Sequence, residues 1–159
     1  MKASSLSEIK NELSELKPGA VMELTLRLAR YKKENKELLT YLLFEAHDEE
    51  AFIRNIKTDM NQQFLEINRS NLHLVKKSLR KIVRIINKYI RFSGSRETEV
   101  TLRIYFCRQL KESGINFIKS QMLINIYNNQ LKKINTTLLK LHEDLQYDYL
   151  KEVELLTLE

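Results

Sequence analysis

Residues 71–92, NLHLVKKSLRKIVRIINKYIRF, have the pattern of an amphipathic helix. When the residues are placed at 100° intervals, the apolar side chains form one continuous face and the basic side chains form the opposite face. The apolar face contains Leu72, Val75, Leu79, Ile82, Val83, Ile86 and Ile90. The basic face, which we call the basic stripe, contains Lys76, Lys77, Arg80, Lys81, Arg84, Lys88 and Arg91.

The basic stripe accounts for the net charge of the protein, which is +6. Seven of the 27 Lys and Arg side chains lie in residues 71–92, whereas none of the 21 Asp and Glu side chains does. Like charges one helical turn apart repel each other by about 0.2–0.5 kcal/mol per pair. A sequence that keeps several such pairs is expected to have a use for the positive field that they create.

The remaining sequence also predicts helices. Ser5 and Glu8 have the spacing of a capping box, Asp48 is a good N-cap, and Gly94 and Gly114 are suited to helix ends. The chain has only three Gly and one Pro, too few for the many tight turns of a sandwich or barrel. We therefore predict an all-α fold with one domain over residues 1–159. Seven or eight helices in antiparallel hairpins would form either a compact bundle or an irregular HEAT-like stack.

The helical periodicity also predicts where the core lies. We expect seven mid-helix residues to be nearly buried: Ile56, Met60, Leu79, Ile82, Ile86, Ile104 and Leu110. The segment 38–44 is apolar nearly all round, so it should be the most buried of the early elements. From Asn116 the chain reads as helical almost to its end, with a break expected between Asn128 and Glu143 around the weak helix formers of residues 135–137.

Three features predict a cytoplasmic protein that does not insert into a membrane. A single cysteine, Cys107, excludes an internal disulfide framework. No apolar run approaches the roughly 20 residues that span a bilayer. The N-terminus begins with helical patterning and has no apolar signal core.

Four segments resemble an uncharacterised family of small bacterial all-helical proteins. They are SLSEIKNELSEL (residues 5–16), KKENKELLTYLLFEAHDEEAF (32–52), ETEVTLRIYFCRQL (97–110) and LHEDLQYDYLKE (141–152). The resemblance covers most of the chain and implies a helical, repeat-like fold in the bacterial cytosol. The family has no assigned activity, so the resemblance implies no functional residues.

The sequence predicts no catalytic residue, cofactor or metal site. Its three glycines stand apart, so there is no phosphate-binding glycine loop. Cys107 lies on an apolar stripe, which is typical of a small buried hydrophobe. Residues 47–50 and 142–144 contain His, Asp and Glu, but consecutive helical residues point about 100° apart and do not converge on a metal ion. We therefore expect the protein not to be an enzyme.

The basic stripe has three interpretations. In the first interpretation, acidic residues of neighbouring helices neutralise the stripe: Asp59, Glu66, Glu97 and Glu99. In the second it binds nucleic-acid phosphates, and in the third it docks an acidic protein or anionic lipid. Tyr89 and Phe92 lie on the apolar side, so base stacking is not indicated. The working hypothesis is an acidic protein partner, with nonspecific nucleic-acid binding as the alternative and an enzyme whose site assembles only in the fold as the third. The sequence gives no oligomeric state.

Overall fold

The computed structural model describes residues 2–157 and confirms the all-α prediction. It is 78% helical, and the described residues contain eight α-helices and no strand. The helices are α1 (Leu6–Ser14), α2 (Pro18–Tyr31), α3 (Lys33–Thr40), α4 (Glu49–Leu65), α5 (Leu72–Ser93), α6 (Arg96–Glu112), α7 (Gln121–Leu138) and α8 (Glu143–Glu154). A π-helical segment, Tyr41–Glu45, directly follows α3. Among the described helices, none is both long and apolar enough to cross a membrane.

The chain forms two compact units, one within residues 1–45 and one within residues 46–159. The first unit contains α1–α3 and the π-helical segment, and the second contains α4–α8. The sequence predicted one domain over residues 1–159. The division into two compact units does not show whether they unfold together. A single domain over residues 1–159 therefore stays a prediction.

The predicted caps fix the ends of several helices. The Ser5 hydroxyl accepts a hydrogen bond from the Glu8 amide, and the Glu8 carboxylate accepts one from the Ser5 amide, so the capping box is confirmed. Asp48 caps α4 by accepting from the Ala51 amide at 2.9 Å. Gly94 ends α5 with a φ of 67°, a left-handed conformation that glycine adopts without steric cost.

Helix α6 is the central element of the second unit. It packs against α4, α5 and α7. Its side chains are buried on several faces, and Val100, Leu102 and Phe106 are completely inaccessible to solvent. All seven residues predicted for the core are buried, which confirms that prediction: Ile56, Met60, Leu79, Ile82, Ile86, Ile104 and Leu110. The apolar face of α5 therefore packs into the core, and the position of its basic stripe is fixed by that packing.

Segment 38–44, at the end of α3 and the start of the π-helical segment, was expected to be the most buried of the early elements. It contains Tyr41, the one buried residue among residues 2–45, so that prediction is confirmed. The segment is nevertheless not covered on every side, because Leu42, Leu43 and Phe44 are exposed, with 67% of Phe44 accessible to solvent. A unit this small has too little mass to cover an apolar helix on every side.

The bounds of the late helices also differ from those predicted from the sequence. Helix α7 begins at Gln121 rather than near Asn116. The break lies at residues 139–142, inside the predicted interval, but residues 135–137 are part of α7. Thr137 and Leu138 are buried in the second unit, and this tertiary packing outweighs the low helix propensity of the segment.

Candidate partner-binding surface

The basic stripe lies along one uninterrupted helix of 22 residues. Asn71 caps its N-terminus by accepting a hydrogen bond from the Leu74 amide at 2.9 Å, and the Gly94 amide donates to the Ile90 carbonyl at its C-terminus. Between these caps, Val75, Leu79 and Ile86 are buried. Burial of that face directs the opposite, basic face outward.

The seven predicted binding residues do not share one environment. Lys77, Arg80, Lys81, Arg84 and Arg91 are exposed, whereas Lys76 and Lys88 are half-buried. The Lys76 ammonium donates to the Met122 sulfur at 3.4 Å. The Lys88 ammonium lies 4.9 Å from the ring centre of Tyr89 and 5.9 Å from that of Phe92. Lys88 and Arg91 also make further interactions.

Four residues at the middle of the stripe form what we call the basic cluster: Lys77, Arg80, Lys81 and Arg84. Within residues 2–157, none of the four forms an ion pair with a carboxylate. Two acids that were candidates for neutralising the stripe have other partners. Glu66 accepts a hydrogen bond from Gln62 at 2.8 Å, and Glu99 pairs with Arg103 at 2.8 Å. The charge of the basic cluster therefore faces solvent.

The basic cluster lines a surface groove of about 450 Å³. His73, Lys76 and Ser78 also line this groove. The aliphatic stems of Lys and Arg supply apolar walls while their charged ends stay in water. The groove thus combines apolar contact with a concentration of positive charge, which suits an amphipathic anionic ligand.

Cys107 is unsuited to nucleophilic chemistry. Its side chain is fully buried, and this burial raises the pKa of the thiol to about 12, with the nearby Arg103 charge opposing the shift. A thiol with this pKa is protonated at neutral pH, and the thiolate is the nucleophilic form. Cys107 therefore fills space in the core between the helices.

The two clusters of His and acidic residues, 47–50 and 142–144, lie at the N-termini of α4 and α8. Asp48 is the N-cap of α4, and His142 is the N-cap of α8, with its Nδ1 atom 3.3 Å from the Asp144 carboxylate. Glu49 instead accepts hydrogen bonds from Ser93 and, at 2.6 Å, from Thr98, which connects the start of α4 to the end of α5 and the first turn of α6. In the part of the chain that is described, no three His, Cys, Asp or Glu side chains are placed to hold a metal ion.

The sequence did not indicate a buried polar cluster formed by Glu99, Arg103 and Gln130. Arg103 is 4% exposed and Gln130 is 3% exposed. The four-residue spacing of Glu99 and Arg103 on α6 was a usable signal for an ion pair. Gln130 gave no such signal, because it belongs to a segment rich in Asn and Gln that reads as an exposed helix face.

Comparison of this chain with protein-family models, with curated proteins and with solved structures gave no match. The resemblance to an uncharacterised family of bacterial all-helical proteins therefore stays a hypothesis.

Proposed function

We propose that this protein is a non-enzymatic binding module that presents the basic cluster of α5 to an acidic surface of another protein. The observation that supports the proposal is the state of Lys77, Arg80, Lys81 and Arg84, which are exposed and have no carboxylate partner among residues 2–157. An anionic partner would relieve the repulsion among these cations. It would also be steered toward them by their combined field.

The spacing of the basic cluster suits an acidic helix. Arg80 and Arg84 are one helical turn apart, and Lys77 and Lys81 form a second such pair, so the charges recur about every 5.4 Å along α5. A partner helix with carboxylates three and four residues apart presents negative charge at the same interval. Because α5 is anchored in the core by its opposite face, its backbone needs no ordering when the partner binds.

The neighbouring aromatic residues favour a protein partner over single-stranded nucleic acid. Phe92 is buried, and Tyr89 is half-buried, with its ring packed at 5.8 Å against Phe52. Proteins that bind single strands without sequence preference combine a basic groove with aromatic rings available for base stacking. Here the aromatic rings adjoining the stripe belong to the packing of α4 and α5.

Titration of the intact protein with three probes tests the proposal. The first probe is a synthetic helical peptide with Glu at every third and fourth position, the second is a duplex DNA of arbitrary sequence, and the third is a single strand. Each is titrated with the natural protein and with the variant Lys77→Glu/Arg80→Glu/Arg84→Glu. The matched control is Lys119→Glu/Lys132→Glu/Lys140→Glu, which reverses three exposed charges outside α5 and changes the net charge equally.

We expect the acidic peptide to bind the natural protein and the control, and to lose affinity for the α5 variant. Binding of the peptide equally to both variants would mean that overall charge, and not the basic cluster, attracts it. Retention of nucleic acid, with a salt slope of about −4.5 for five engaged phosphates on a duplex, and no peptide binding would favour the nucleic-acid alternative. Affinity capture from the protein's own cells, with and without nuclease, applies the same comparison to natural partners.

A further inference from the structure

Helix α1 carries an apolar stripe that its own unit leaves uncovered. The stripe consists of Leu6, Ile9 and Leu13 and continues to Leu16 just beyond the C-cap; all four are exposed, with 85% of Leu6 accessible to solvent. The extensive helix contacts of the first unit join α2 to α3 and α3 to the π-helical segment, and do not involve α1. Spacings of three, four and three residues place these side chains on one face, as in helices that dock into grooves.

The acidic residues of α1 flank one edge of this stripe. At 100° per residue, Glu8, Glu12 and the C-cap residue Glu15 lie together beside the apolar face. Glu8 is occupied by the capping box with Ser5. Glu12 and Glu15 are exposed, and within residues 2–157 neither forms an ion pair. The docking face of α1 is therefore apolar, with a negative edge on this side and Lys10 at the opposite edge.

The same unit contains a groove with the opposite charge. The groove has a volume of about 650 Å³ and runs along α2, α3 and the π-helical segment. Its apolar lining consists of Leu26, Ala29, Leu39, Leu43 and Phe44, and its basic lining consists of Arg30, Lys33 and Lys36. Lys33 forms an exposed ion pair with Glu37, whereas Arg30 and Lys36 have no carboxylate partner among the described residues.

The size of the unit explains why these surfaces need a partner. Of residues 2–45, Tyr41 alone is buried, so the unit encloses almost no core. Domains of about this size usually need additional support, such as a disulfide, a metal ion or another subunit. Association that covers the α1 stripe and the groove would bury apolar surface that the isolated unit leaves in water.

We propose that the occupant of the groove is α1 of a second copy of this chain. Each copy contributes one α1 helix and one groove of this kind, so reciprocal insertion forms a closed dimer with twofold symmetry in which both are occupied. In this dimer Ile9 and Leu13 contact the apolar lining of the groove, while Glu12 and Glu15 face Arg30 and Lys36. The proposed contact uses residues of the first unit and none of the residues of the basic cluster, so the two proposals are tested by different substitutions.

Paired charge reversal tests this dimer. The helix variant is Glu12→Lys/Glu15→Lys, and the groove variant is Arg30→Glu/Lys36→Glu. In a homodimer each variant places like charges against each other. In a mixed dimer both contacts are again between opposite charges, because the altered helix meets the altered groove and the natural helix meets the natural groove. Light scattering coupled to gel filtration at low salt gives the mass of each sample.

We expect the natural protein to be a dimer and each variant alone to dimerise about tenfold or more weakly. An equal mixture of the two variants should regain the dimer, as should a single chain that carries all four substitutions. Glu23→Lys/Glu112→Lys is the control for the helix variant, since both residues are exposed and lie outside the stripe and the groove. Circular dichroism checks that every variant keeps its helical content.

Three results would overturn the proposal. The first is a natural protein that stays monomeric at every concentration tested. The second is a dimer that neither variant weakens, because a second copy would then dock elsewhere. The third is two variants that remain monomeric when mixed, because α1 would then occupy the groove of its own chain or the charge reversals would have acted nonspecifically.

Discussion

The guanidinium of Arg103 donates a hydrogen bond of 2.7 Å to the side-chain oxygen of Gln130 inside the packed interface of α6 and α7. The same guanidinium donates from Nε to Glu99 at 2.8 Å and pairs with that carboxylate through Nη2. A buried charge persists in a core only when it is paired and hydrogen-bonded. Glu99 and Gln130 together provide those bonds, so the cluster fixes how α7 lies on α6.

Replacing Gln130 by Leu should destabilise the protein by about 1–3 kcal/mol, because one donor of a buried charge would lose its acceptor. Leu is similar in size, so the loss reports mainly the hydrogen bond rather than a cavity. Urea unfolding followed by circular dichroism measures it. Asn129→Leu, at an exposed neighbouring position of α7, is the control and should change the free energy of unfolding by less than about 0.5 kcal/mol. Equal effects of the two substitutions would show that the Arg103–Gln130 bond is dispensable.

Because its thiol is buried, Cys107 should make the protein less stable in alkaline solution. Burial raises the pKa of its thiol from 9.0 to about 12, so the folded state holds this proton over a range in which the unfolded state releases it. The contribution is fully present below about pH 9 and is lost as the pH rises toward 12, at up to about 1.4 kcal/mol per pH unit. Burial also raises the pKa of the Tyr127 and Tyr149 hydroxyls, which act in the same direction.

Comparison with Cys107→Ala isolates the cysteine from the two tyrosines. Urea unfolding of both proteins between about pH 8 and 11, a range set by the titration of the thiol, should give a shallower decline for the Ala variant. A constant difference in the free energy of unfolding across that range would show that the thiol titrates normally. The Ala variant is also expected to be less stable than the natural protein at the low end of the range, because it removes a buried sulfur.

The sequence predicted the second unit better than the first, for a physical reason. The apolar stripes of α4 and α5 follow the helical period, so residues such as Met60 and Ile86 were placed correctly in the core. The central role of α6 was less evident, because a helix that is covered on several sides loses its amphipathic pattern. The helical period is therefore clearest in α5, while α6 makes the more extensive contacts.

Exposure of apolar residues could not be read from the sequence. Leu43 and Phe44 have the composition of a buried helix, yet both are exposed because the first unit is too small to surround them. Similarly, the basic stripe could be identified from the sequence, but its ion pairing with acidic side chains of other helices could not be predicted. That depends on where α4 and α6 place Glu66 and Glu99, which is a property of the tertiary packing.

Hydrogen exchange should separate the two units by stability. Amides of α6 should exchange most slowly, because opening that helix exposes the core of the second unit. In samples dilute enough to be monomeric, amides of α1 should exchange fastest among the helices, because α1 has no buried side chain and is not part of the extensive contacts of its unit. Mass spectrometry of peptides after timed exchange gives the comparison. Protection of α1 equal to that of α6 in these dilute samples would contradict this ranking and would support one cooperative domain over residues 1–159.

Arg84→Glu should stabilise the isolated protein, because Arg84 lies at the centre of the basic stripe. Arg80 and Lys88 are four residues away on either side, and Lys81 is three residues away. Each of these three pairs changes from repulsive to attractive, at about 0.2–0.5 kcal/mol before and after the substitution. We expect a gain in the free energy of unfolding on the order of 1 kcal/mol at low salt, where screening is weakest.

The sign of this change in the free energy of unfolding tests the proposed function, and Arg84→Gln is an intermediate control. Arg84→Gln removes the repulsion without adding attraction, so its gain should be about half as large. Both gains should shrink as salt is added, while binding of the acidic peptide weakens in the order natural protein, Gln variant, Glu variant. A clear loss of stability in Arg84→Glu would mean that acids of the folded chain already compensate Arg84. The basic cluster would then be part of the internal packing of the protein, and its assignment as a partner-binding surface would have to be withdrawn.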